Sequence, residues 1–156
     1  MGLEEDIKQR KFKSQFQKAG INLAFTYSFM VNRNMRMMKK YGLTLPQFNI
    51  LRILRGQYPK STTVNDLIDR MLDKSSNASR IVEKLRAKKL VERKVSELDR
   101  RAVDVSITQS GLNLLTMIDK VEQEFYFGEG ALTEEEAIML NHLLDKGRSI
   151  YENEKL

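Results

Sequence analysis

From Ser75 to Lys84 the chain reads Ser-Ser-Asn-Ala-Ser-Arg-Ile-Val-Glu-Lys, a mixture of short hydroxyl, amide and forked cationic side chains. Those groups can read and grip a nucleic acid. An Arg can bond a guanine edge bidentately and an Asn an adenine edge, and the DNA major groove admits one α-helix. Serine hydroxyls and the unpaired amides of a helix N-terminus are good phosphate ligands, because the positive end of the helix dipole lies there. Ser75, Ser76, Asn77, Ser79, Arg80 and Lys84 are therefore the candidate DNA-binding residues of this stretch.

These residues need a scaffold, and three helical segments can be placed around them. Thr44-Leu45-Pro46-Gln47 combines an N-cap hydroxyl, a proline in the first turn and a glutamine at the capping-box position. Phe48, Leu51, Ile53 and Leu54 follow, and Gly56 and Pro59 end the segment. Thr63-Val64-Asn65-Asp66 opens a second helix through Leu67, Ile68, Met71 and Leu72, expected to stop near Asp73. The third helix is expected from about Ser75 to about Lys89. Ala78, Ile81, Val82 and Leu85 form its buried stripe, which leaves the polar residues on the opposite face. Leu90–Val95 and Val103–Ile107 then alternate as strands, and the charged stretch 96–102 joins them as the tip of a hairpin.

Helix, helix, polar-faced helix and charged hairpin, with the spacing Asp99-x-Arg101-x-x-x-Val105-x-Ile107-Thr108-x-x-Gly111, resemble the MarR family of winged helix-turn-helix regulators. The run Ser79-Arg80-Ile81-Val82-Glu83-Lys84-Leu85-Arg86-Ala87-Lys88-Lys89-Leu90-Val91 supports the likeness; Lys89 stands where the family often has glycine. A left-handed Lys there would cost roughly 1 kcal/mol relative to Gly. The resemblance implies a base- or phosphate-contacting role for Arg80 and a minor-groove approach by Arg100 and Arg101 in the wing. Asp99 would orient the wing by pairing with Arg101, and Thr108 would cap the helix beginning at Gln109.

Charge agrees with this independently. Across 156 residues the net charge is +6. Residues 44–111 hold 14 Lys and Arg against 8 Asp and Glu, residues 1–43 hold 9 against 3, and residues 112–156 hold 4 against 10. The two ends cancel, so the surplus remains on the middle region, as counterion release from phosphate would require.

The ends carry more apolar surface than one copy can easily bury. A helix from about Glu4 to Lys40 bears Ile7, Phe12, Phe16, Ile21, Leu23, Phe25, Tyr27 and Met30. The C-terminal third bears Leu112, Leu115, Ile118, Phe125 and Phe127, then a second helix opened by Thr133-Glu134-Glu135-Glu136. The expected fold is mainly α with a small β-hairpin wing. A single domain spans 1–156, with 1–43 and 112–156 as dimerisation helices around a winged helix-turn-helix region at 44–111. A two-fold homodimer is the commonest way to cover such faces, and it would read a pseudo-palindrome with half-sites roughly 10 bp apart.

Absences narrow the class. With no cysteine there is no disulfide, thiol switch or Cys-based zinc site. The one histidine, His142, is read as structural or solvent-facing, since a metal site needs several ligands. Neither a nucleophile–base pair nor a glycine-rich phosphate loop occurs, so no enzyme, cofactor or metal is expected. The charged start and the lack of a long apolar run point to a cytoplasmic protein without membrane contact. Phe25, Tyr27, Met30 and Phe48 could line a pocket for a small-molecule effector of unknown identity, although stripes of this kind more often simply pack. The function implied is a homodimeric repressor of double-stranded DNA, and the competing reading is a winged-helix module that docks a protein.

Overall fold

Side-chain caps decide where the helices after the first begin. In the computed structural model, which describes residues 2–95, 103–121 and 131–150, the N-terminal region is two helices rather than the single one expected from Glu4. Helix α1 is a single turn, Leu3–Asp6, and α2 runs Gln15–Lys40. Lys8 follows α1 at φ 54°, which stops a right-handed helix, and the Ser14 hydroxyl restarts one by accepting from the Gln17 amide at 3.1 Å.

Helix α3, Leu45–Gln57, opens with the anticipated capping box. The Thr44 hydroxyl accepts from the Gln47 amide, and the Gln47 side chain accepts from the Thr44 amide at 3.1 Å. Thr63 and Asp66 exchange the same pair of bonds at the start of α4, Val64–Arg70. That helix ends sooner than expected: Met71 is extended and buried, whereas Leu72 is 92% exposed. Helix α5 spans Ala78–Ala87 and buries Ala78, Val82 and Leu85, as its stripe requires, with Ile81 half-buried.

A three-stranded antiparallel sheet closes this region, in the order β1–β3–β2. Strand β2, Val91–Val95, pairs with β3, Val103–Ile107, in the register Val91↔Ile107 and Arg93↔Val105. The short β1, Thr62–Thr63, pairs Thr62 with Val105 and was not anticipated; the reading from sequence took Thr63 only as a cap. Ile50, Leu51 and Leu54 of α3, Leu67 of α4, Val82 and Leu85 of α5, Val91, and Val105 form the shared core.

Helix α6, Gln109–Asp119, leaves the sheet at Thr108, whose hydroxyl accepts from the Gly111 amide at 3.1 Å and donates to the Lys89 carbonyl at 2.8 Å. Gly111 is there for space. A Cβ at that point would lie 2.5 Å from the Leu90 carbonyl oxygen and 2.7 Å from Ile107 Cγ1.

Compact units are formed by Met1–Ile118 and by Asp119–Leu156. The second contains α7, Glu134–Ser149, whose capping box joins Thr133 to Glu136. None of its residues is buried, and Ile138, Met139 and Leu143 are exposed. Among the described residues no helix is long and apolar enough to cross a membrane.

Candidate nucleic-acid interface

The loop entering α5 is held by its own carboxylate. Asp73 accepts from the Ser75 amide at 3.0 Å, the Ser75 hydroxyl at 2.6 Å and the Ser76 hydroxyl at 2.9 Å. These bonds, led by the one from the Ser75 side chain, hold the Asp73 carboxyl below its ordinary pKa. They also keep Ser75 and Ser76 out of the helix, which begins three residues later than their polarity suggested. Asn77 is the cap instead, its side-chain oxygen accepting from the Arg80 amide at 2.9 Å. Within the candidate set, then, Ser75 and Ser76 stand on a self-bonded turn and Asn77 caps the helix. Ser79, Arg80 and Lys84 project from the exposed side of α5.

The far end of α5 is anchored. Lys88 donates to the Gly42 carbonyl and, at 3.2 Å, to the buried Gln47 side chain, which ties α5 to the start of α3. Lys89 then takes φ 60°, the left-handed conformation anticipated from the missing glycine. Glu83 shares the outward side of α5 by its helical spacing, but its carboxylate is committed elsewhere. It pairs with Arg86 on its own helix at 3.0 Å and with Arg93 on β2. The i,i+3 pair is legible in sequence, whereas the Arg93 partner depends on how the hairpin folds back.

Asp99, Arg100 and Arg101 lie outside the described residues. Of the four candidate pocket residues, Phe48 is buried with Arg52 5.8 Å from its ring centre, Met30 is half-buried, and Phe25 and Tyr27 are exposed on α2. A two-residue step turns an α-helix by about 200°, so Phe25 and Tyr27 leave α2 on opposite sides and one copy does not bring the four together. His142 is exposed on α7.

Comparison with known proteins places this architecture. The model of the MarR family matches residues 41–102. The HTH-type transcriptional regulator MhqR of Bacillus subtilis is 31% identical over 103 residues, covering 65% of this chain and 68% of that protein. The crystal structure of a MarR transcription factor from Planctomyces limnophilus is 27% identical with a TM-score of 0.66, covering 88% of this chain and 98% of the other. A S. aureus MepR–DNA complex shares the fold at 22% identity, with a TM-score of 0.70 over 89% of this chain and 98% of that one.

Proposed function

This chain belongs to the MarR family of transcriptional regulators, and from that premise we propose that it is a homodimeric repressor that reads a pseudo-palindromic operator in double-stranded DNA. One observation carries the reading. Helix α5 buries Ala78, Val82 and Leu85 and leaves Ser79, Arg80 and Lys84 outward, in the basic part of the chain. Arg80 meets a base edge or phosphate in the major groove, with Lys84 beside it. Asn77 approaches the backbone at the helix entrance beside the turn of Ser75 and Ser76, whose hydroxyls are held by Asp73, and Arg100 and Arg101, oriented by Asp99, reach the minor groove.

The dimer rests on surface left uncovered in one copy. Phe16, Leu23, Tyr27 and Phe29 of α2 are exposed, and so are Ile138, Met139 and Leu143 of α7. Apolar faces of this size mark an interface. Residues 1–43 and 112–156 accordingly pair two copies around the reading regions at 44–111. A small-molecule effector that binds one spacing of the two reading heads better than another would release the DNA. Because Phe25 and Tyr27 face apart, a pocket using both with Met30 and Phe48 would draw on the second copy. The protein acts in the cytoplasm, without cofactor or metal.

The test is selection of bound duplexes from a random pool at near-physiological salt. Enrichment of one pseudo-palindrome supports the reading. A flat pool, with affinity indifferent to salt and to Arg80→Ala, overturns it and leaves a protein-docking winged helix.

A further inference from the structure

At the root of the hairpin, the end of α5, strand β2 and the first turn of α6 enclose an open concavity of about 650 Å³, lined by Arg86, Lys89, Arg93, Lys94, Gln109 and Ser110. We propose that it is a binding site for a phosphate-type oxyanion, distinct from the groups on α5 assigned to base readout.

Four cationic residues line this space, against Glu92 as the only acidic residue among the described lining. Glu83 partly neutralises Arg86 and Arg93 by pairing with both. The two lysines are different: among the described residues neither the Lys89 nor the Lys94 ammonium has a partner. Lys88, the immediate neighbour, donates to the Gly42 carbonyl and to Gln47. The structure thus separates one lysine used for packing from another left facing the concavity.

Lys89 is also held there at a cost. Its φ of 60° is a conformation that glycine adopts freely and a side chain disfavours. Strain of this kind persists where the surrounding fold imposes it and tends to collect at functional positions. Here the fold does impose it, through the bond from the Thr108 hydroxyl to the Lys89 carbonyl and the bond from the Lys89 amide to the Arg86 carbonyl.

Donors complete the cradle. Thr108 caps the Gly111 amide, so the Gln109 and Ser110 amides ahead of it are the helix-start groups without an intrahelical acceptor. Arg93 lines the same space with its guanidinium paired to Glu83. Val91 is the one apolar residue among the described residues of the lining. A greasy ligand would leave this charge uncompensated, whereas a compact, multiply charged oxyanion would meet charge-assisted donors from three elements. Such an oxyanion can come from a free phosphorylated molecule or from the backbone of a DNA flank.

The experiment titrates the full chain with inorganic pyrophosphate, and separately with duplex DNA, following backbone amide resonances. It is repeated on Lys89→Gly/Lys94→Gln. Lys89→Gly keeps the left-handed turn and Lys94→Gln lies on an exposed position, so the variant retains the fold, checked by its amide spectrum. Saturable shifts at Lys89, Gln109 and Ser110 with pyrophosphate, weakened roughly tenfold in the variant, assign the site to a free oxyanion. Shifts at those amides with duplex alone, and a shallower salt dependence in the variant, assign it to DNA phosphate. No saturable shift with either, or equal affinities in the two proteins, overturns the proposal. The pyrophosphate arm does not depend on DNA binding, so it can fail or succeed independently of the proposed repressor function.

Discussion

The Glu83 carboxylate of α5 pairs with the Arg93 guanidinium of β2, so the helix proposed to read DNA and the hairpin proposed to flank it are tied by one ion pair. Glu83 is 41% and Arg93 30% exposed, which places the pair nearer the weak surface class than the buried one. A double-mutant cycle of Glu83→Ala and Arg93→Ala is expected to give a coupling of about 0.5–1 kcal/mol in urea unfolding. DNA affinity should fall further in either single variant than stability predicts, because the angle between helix and hairpin is released. Zero coupling in both assays would reduce the pair to a surface contact.

Gly111→Ala sets two effects against each other. Alanine gains up to about 1 kcal/mol of helix propensity, but its Cβ would sit 2.5 Å from the Leu90 carbonyl oxygen. Backbone cannot swing aside as a side-chain end can, and overpacking costs about 1–3 kcal/mol. The clash should win, lowering the thermal midpoint. Gly147→Ala in α7 is the control. Nothing lies within 4 Å of a Cβ there, so that variant should gain about 0.5–1 kcal/mol.

Acid should loosen the entrance to α5. Asp73 is held below the ordinary aspartate value of 3.8, chiefly by the Ser75 hydroxyl and then by Ser76. A carboxyl whose folded pKa is depressed adds stability that is complete above its unfolded pKa and is lost as pH falls through the folded one. The stability gap between the native chain and Asp73→Asn should therefore be constant near neutrality and shrink as pH falls below the ordinary aspartate value of 3.8 and through the lower folded one. A gap independent of pH would show that the turn does not use the charge.

Local chemistry was what the sequence displayed best. The three capping boxes, the buried stripe of α5 and the two strand runs of the hairpin each depend on residues close together in the chain, so spacing revealed them, while the left-handed Lys89 followed from the resemblance to a family that often has glycine there. What escaped was competition between partners. Ser75 and Ser76 looked like helix-start ligands until Asp73, two and three residues earlier, claimed both hydroxyls. Strand β1 exists because Val105 lies opposite Thr62, 43 positions away in sequence. Glu83 has helical spacing suited to the outward face, and only the return of β2 supplies Arg93. Gly111 was visible as a motif letter, but its reason, the Leu90 carbonyl, is tertiary.

Asn77 can separate folding from DNA contact, because its side chain already serves as the cap of α5. Asn77→Ala removes the acceptor and should cost about 1 kcal/mol of stability. Any loss of DNA affinity in that variant is therefore ambiguous. Asn77→Asp keeps the acceptor and adds a negative charge at the positive end of the helix, so unfolding should show no loss of stability and a small gain. The same charge would face phosphate if the first turn of α5 lies against the backbone. DNA binding by Asn77→Asp should then fall roughly tenfold, most strongly at low salt. Undiminished binding by a protein as stable as the native chain would mean that this turn points away from phosphate, and would move the contact to Ser79, Arg80 and Lys84.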